Sequence, residues 1–145
     1  MFVNDFAARD NLAAIPFPEV TVVLVTSPEH ALASREEPWT RAELQSHVEL
    51  SVHDSSESER ADPTMFGGSR VFFLSDFATK RQALLSGLGF GWAPLYLIAS
   101  DLEQGRLVEV PYERGSRYSF QPMLVYRVDR PMGRAGRRFV ELLRP

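Results

Sequence analysis

The run Val20-Thr21-Val22-Val23-Leu24-Val25 is β-branched or apolar at almost every position. A strand with one wet face alternates polar and apolar residues, so an unbroken run of this kind reads as a strand buried on both faces. A strand of that type is central, and the flanking sequence must supply the layers that cover it. Thr26-Ser27-Pro28 ends it. Thr40-Arg41-Ala42-Glu43 then places a threonine three residues before a glutamate, the pattern of a capping box, and predicts a short helix through Leu44. Residues 47–53 alternate, with Val48, Leu50 and Val52 on one face of a strand and His47, Glu49, Ser51 and His53 on the other. That polar face is expected to meet water, a partner or a cleft. Residues 54–63 are polar without a period and read as a solvated loop, closed by Gly67-Gly68.

The second half continues the alternation of strands and helices. Val71-Phe72-Phe73-Leu74 reads as a strand, and Ser75-Asp76 as the polar start of a helix whose Phe77, Leu84, Leu85 and Leu88 share a face and which stops at Gly87. Phe90, Trp92 and Ala93 form a short strand between glycines. Pro94 suits the first turn of a helix over residues 95–102, ended by Gly105. Strands are predicted at residues 106–110 and 120–128, with Pro122 tolerable near the start of the latter, and a last helix at 131–143. Residues 1–18 carry a weak pattern with Pro16 and Pro18 close together, and read as a connector. With no repeat, the chain is expected to be an α/β layer structure.

Composition narrows the chemistry. At 145 residues, one domain with its own core is the expectation. The absence of cysteine excludes disulfides, thiolate zinc sites and cysteine nucleophiles, and suits a reducing cytoplasm. A formal net charge of -3 does not provide the phosphate-neutralising surface that grips nucleic acid. The first residues lack a leader pattern and no run approaches the length needed to span a bilayer, so a cytoplasmic location without membrane association is expected.

Several constellations have a bland reading that outweighs the sharp one. Gly87-Leu88-Gly89-Phe90-Gly91 follows a helix and precedes a strand, the reverse of a dinucleotide-binding turn, so the glycines end a helix and allow close packing. His53 and Asp54 lie among serines, but no nucleophile elbow presents one of them, and no catalytic group is assigned. His47, Glu49 and His53 share a strand face without a fixed further ligand, so no metal or other cofactor is expected. Arg134, Arg137, Arg138 and Arg144 surround Phe139, Val140, Leu142 and Leu143 as the solvated side of an amphipathic helix does. The first turn of the Ser75 helix is the more useful feature, because unpaired N–H groups and a positive dipole end meet there.

Three stretches together resemble the LysR-type transcriptional regulators. Residues 22–33, Val-Val-Leu-Val-Thr-Ser-Pro-Glu-His-Ala-Leu-Ala, resemble that family's hinge strand and His-Pro-Leu-Ala turn, with Ala31 where proline is usual. Residues 74–94 resemble its ligand-facing helix and Gly-Leu-Gly segment, and residues 102–110 the helix and strand that follow. The resemblance implies a periplasmic-binding-protein-like (type 2) effector domain, with two α/β subdomains joined by crossing strands and a small molecule held between them. On that basis residues 1–18 are a remnant of the first subdomain and residues 19–128 form the second, with residues 19–27 and 120–128 running side by side as hinge strands. Residues 129–145 return as a helix to the first. The resemblance further implies a sensor for a small polar or anionic effector, lined by Thr26, Ser51, His53, Ser75, Asp76 and Phe77. It implies a homo-oligomer, and DNA contact only through an N-terminal helix-turn-helix not found in this sequence. A solute-binding protein of similar architecture is the alternative.

Overall fold

The computed structural model describes residues 2–3, 11–52 and 64–143. The polar loop at 54–63 and His53 lie outside the described residues. The chain divides into two compact units, Met1–Val20 with Ser119–Pro145, and Thr21–Tyr118.

The second unit is built around the run that opens the sequence. β3 (Val20–Thr26) has β6 (Phe90–Pro94) on one side and β7 (Val108–Glu109) on the other, in a six-stranded sheet of order β5-β4-β6-β3-β7 to which β8 (Arg117–Phe120) adds by pairing with β3. Val23, Leu24, Val25 and Thr26 are wholly buried, as a central strand requires. β4 (Glu49–Val52) is parallel to β5 (Val71–Leu74) and to β6, whereas β3 is antiparallel to β6 and β7. The period of two sorts β3 between two cores. Val23 and Val25 pack with Leu50, Ala93, Leu107, Leu84 of α2 (Phe77–Leu85) and Ile98 of α3 (Leu95–Glu103). Leu24 packs on the other side with Leu32, Leu44, Phe66, Phe90, Val110 and Tyr112.

Two local devices set this arrangement. The predicted capping box is formed: Thr40 Oγ1 accepts the Glu43 N–H and the Glu43 carboxylate accepts the Thr40 N–H, which starts α1 (Arg41–Leu44). Gly89 and Gly91 bring β6 against its neighbours, since a Cβ on Gly89 would lie 2.2 Å from the Val48 carbonyl oxygen and one on Gly91 2.5 Å from that of Leu50. These glycines serve close packing, as their order in the sequence indicated.

The first unit has a three-stranded antiparallel sheet of order β1-β9-β2, from β1 (Phe2–Val3), β2 (Leu12–Pro16) and β9 (Met123–Arg127). Ile15, Leu124 and Val140 of α4 (Arg134–Leu143) form its core with Phe17, Tyr126, Met132 and Leu143 around them. The expected pairing of residues 19–27 with 120–128 is therefore corrected. β3 pairs with β8, which sequence reading missed, and β9 pairs with β1 and β2 in the other sheet. Pro122 explains the break. It has no N–H to give a ladder, and its carbonyl accepts the Phe17 N–H at 2.8 Å, so the strand is divided at this point. The stretch grouped in sequence with the second subdomain thus falls mainly with the first unit.

Candidate functional site

β5, β4 and β6 run in one direction, so their C-terminal ends at Leu74, Val52 and Pro94 lie at one end of the sheet. Two residues, Ser75 and Asp76, separate β5 from α2, and α3 follows β6 directly. The C-terminal ends of parallel strands, where helices start, are the usual place for a ligand in an open α/β sheet.

Ser51 is half-buried and stands opposite Phe73 on β5, with Val52 opposite Leu74 in the next row. Ser75 follows at once, so Ser51 and Ser75 are separated by about two residues along the strands and one strand spacing across them, roughly 8 Å. Asp76, not Ser75, is the N-cap of α2. Its Oδ1 accepts the Thr79 N–H at 2.7 Å and its Oδ2 accepts the Ser75 hydroxyl at 3.0 Å. The Thr79 N–H first, then the hydroxyls of Ser75 and Thr79, hold the Asp76 carboxyl below its ordinary range. The N-terminus of α2 is thus served by its own carboxylate. Phe77 is 42% exposed on the first turn.

Lys80 is the residue here that sequence reading passed over. It is 4% exposed, its Nζ 5.8 Å from the centre of the Phe77 ring. Its Cε and Nζ occupy the space over Gly91 that a side chain there would fill. The signal was available, because position 80 lies three residues after Phe77 and four before Leu84, on the apolar face of the helix. α3 differs from α2 at its start: its N-cap is Pro94 with no side-chain cap, and Tyr96 is largely exposed on its first turn.

Thr26 does not join this group. Register puts it level with Phe90, Glu49 and Val71, at the end of the sheet away from Val52 and Leu74. It stands about 13 Å from Ser75 along the strands and three strand spacings, roughly 14 Å, across them. It is wholly buried, and its hydroxyl donates to the Gly89 carbonyl at 2.9 Å. Glu49, on the same face as Ser51, was expected to meet water or a cleft. Instead it is buried and both carboxylate oxygens lie 3.2 Å from the Phe66 amide nitrogen, answering a buried N–H. His47 precedes β4 and packs its ring against His30 and Trp39. Among the described residues no three histidine, aspartate or glutamate side chains are placed to hold a metal.

Behind the site, wholly buried Asp101 of α3 takes Arg81 of α2 at 2.6 and 2.9 Å and Arg106 at 2.7 and 2.9 Å. The Arg81 hydrogen bonds, ahead of those from Arg106, hold its carboxyl below the ordinary value. This clip fixes the two helices that follow the parallel strands.

A regulatory-domain sheet with helices starting from one end is what comparison with known proteins returns. Residues 2–145 match the LysR substrate binding domain family, and the chain belongs to that family. Among curated relatives, the HTH-type transcriptional activator AllS of Klebsiella pneumoniae is 30% identical over 100 residues, 68% of this chain and 37% of AllS. The uncharacterized HTH-type transcriptional regulator YeeY of Escherichia coli is 31% identical over 88 residues, 60% of this chain and 28% of YeeY. The chain thus spans about a third of the length of these relatives, which are regulators and not enzymes. Of solved structures, the CcmR regulatory domain of Synechocystis PCC6803 in complex with 2-PG aligns over 98% of this chain and 70% of its own, with TM-score 0.69 and 16% identity. The CrgA regulatory domain of Neisseria meningitidis aligns over 98% and 72%, with TM-score 0.67 and 22% identity. These likenesses establish the fold, that of the type 2 periplasmic-binding-like regulatory domains.

Proposed function

We propose that residues 21–118 form one wall of the effector site of a LysR-type transcriptional regulator, and that the wall is the end of the sheet carrying Ser51, Ser75, Asp76 and Phe77. The observation that carries this reading is the convergence of the β4 and β5 C-termini with the first turn of α2, where two hydroxyls, one exposed carboxylate and an exposed ring stand together. His53, one residue beyond β4, belongs to the same proposal from sequence. The effector is a small polar molecule. Asp76 occupies the N–H groups that would otherwise favour an anion, so a ligand that donates hydrogen bonds to Asp76 and Ser51 suits this surface better than one that brings a carboxylate to it.

In the full-length protein, effector binding here controls DNA binding by a helix-turn-helix, in a homo-oligomer in the cytoplasm. The HTH-type relatives and the CcmR regulatory domain solved with 2-PG support a small-molecule-responsive regulator. No described helix is long and apolar enough to cross a membrane. Because the relatives are transcription regulators, a solute-binding role is not favoured.

The test is a thermal-shift screen of small metabolites on the chain and on Ser75→Ala, Asp76→Ala and the surface control Glu103→Ala. A compound that stabilises the parent and the control but not the two site variants supports the wall. Equal stabilisation of all four places the site elsewhere.

A further inference from the structure

Away from the effector wall, both backbone polar groups of one buried residue are held by titratable and aromatic side chains. Leu32 is wholly buried in the core that includes Phe66 and Phe90. Its N–H donates to His30 Nδ1 at 3.1 Å, and its carbonyl accepts the Trp39 indole N–H at 3.0 Å. His30 itself donates its backbone N–H to the Ser27 carbonyl and caps the Ala31–Ala33 turn. A ring nitrogen that accepts an N–H carries no proton, so neutral His30 holds its proton on Nε2. This arrangement does not suit a metal clamp, because a metal on Nε2 needs Nδ1 to donate, and here it faces a donor.

The ring of His30 lies 5.4 Å from that of His47, which meets Trp39 edge-on at 6.0 Å. The charged groups near them are Arg35, Glu43, Arg70 and Glu29. Arg35 lies over the Trp39 ring at 3.6 Å and pairs with Glu43 at 2.8 Å, and Arg70 acts on His47. Glu29 adjoins His30 in the chain.

We propose that His30, His47 and Trp39 form an acid-sensitive latch on the turn at Leu32, closed while both imidazoles are neutral and released when His30 takes up a proton. A proton from solvent binds His30 Nδ1, which becomes a donor facing the Leu32 N–H, and the hydrogen bond is lost. The resulting charge sits beside His47, so a second proton on His47 is opposed. Both imidazoles are held below their usual value of 6.5, His30 by burial and then by His47, and His47 by burial and then by Arg70. The sign follows: unfolded histidine binds protons more readily, so the latch contributes fully above pH 6.5 and its contribution is lost as pH falls through the folded values. The element released leads from the end of β3 to α1, which makes this unit of the regulator responsive to acid without any ligand.

The test is amide exchange and imidazole nitrogen NMR on the whole chain, as a function of pH, with His30→Asn and His47→Gln. Asparagine can still cap the turn but does not titrate. In the parent, Nδ1 of His30 should be unprotonated at pH 7.5. Protection of the Leu32 amide, corrected for intrinsic exchange, should fall by about tenfold per pH unit between pH 6.5 and the His30 midpoint and level off below it. His30→Asn should retain protection to pH 5, and His47→Gln should move the His30 midpoint upward. A protonated Nδ1 at pH 7.5, or the same acid loss in His30→Asn, overturns the latch. If His30→Asn does not fold, the parent nitrogen spectrum and exchange profile decide alone.

Discussion

The Asp76 carboxylate accepts the Thr79 N–H at 2.7 Å, so the first turn of α2 is closed by a side chain of the chain itself. Replacing Asp76 by alanine is expected to fray this turn and lower the stability of the chain, while Asp76→Asn, which keeps an accepting oxygen, should largely preserve it. Because the carboxyl is held below its ordinary value of 3.8, the cap contributes above that pH and is lost as pH falls through the folded value. Urea denaturation of both variants at pH 7 and pH 3 checks this. A difference between parent and alanine variant that is as large at pH 3 as at pH 7 would show that the charge is not what caps the helix.

Asp101 is predicted to matter strongly to the stability of the second unit. Its two arginine partners keep part of their exposure, so removing the carboxylate leaves them partly solvated, but the hydrogen bonds that join α2, α3 and Arg106 are lost. Asp101→Ala should cost about 2–4 kcal/mol, and Asp101→Asn somewhat less. The contribution is present above pH 3.8 and disappears as pH falls through the depressed folded value. Chemical denaturation at several pH values measures both; a loss under about 0.5 kcal/mol would place Asp101 among ordinary surface ion pairs.

Thr26→Val separates structure from sensing. The variant removes the hydroxyl that donates to the buried Gly89 carbonyl, and should destabilise by about 1–3 kcal/mol. It should leave the response to any stabilising effector unchanged, because Thr26 lies at the other end of the sheet from Ser75. Thermal shift with and without such a compound gives both readouts. A lost response in a folded Thr26→Val protein would return Thr26 to the site.

These residues show where the sequence could and could not be read. The central strand was legible because four successive β3 positions are wholly buried, and a doubly covered strand leaves a continuous apolar run. The Thr40–Glu43 box was legible because it is local. β2 was not: Leu12-Ala13-Ala14-Ile15-Pro16 has two alanines and a proline, and it is a strand because it pairs with β9 across more than a hundred residues. The site divided in the same way. Ser51 lies on β4 and Ser75, Asp76 and Phe77 directly follow β5, so the parallel pairing of these two strands brings them to one end of the sheet. Thr26 was misgrouped because β3 runs the opposite way, and strand direction is not written in a single segment.

The last prediction concerns association. β5 stands at the end of the described strand order of its sheet, and its Phe72 and Phe73 are each more than half exposed, an uncommon cost for side chains in water. On α4, Phe139 and Leu142 are likewise exposed. Covering such side chains is favourable by about 25 cal/mol per Å² of apolar surface, so the chain is expected to self-associate at moderate concentration. Sedimentation velocity over a hundredfold concentration range is the measurement. Phe72→Lys with Phe73→Thr should weaken an association made through β5, because charge on an edge opposes strand-to-strand pairing, while Phe139→Ser with Leu142→Ser should weaken one made through α4. A parent chain that stays monomeric throughout the range would mean that these side chains are tolerated in water, and the oligomer expected of the full-length regulator would have to be held by other surfaces.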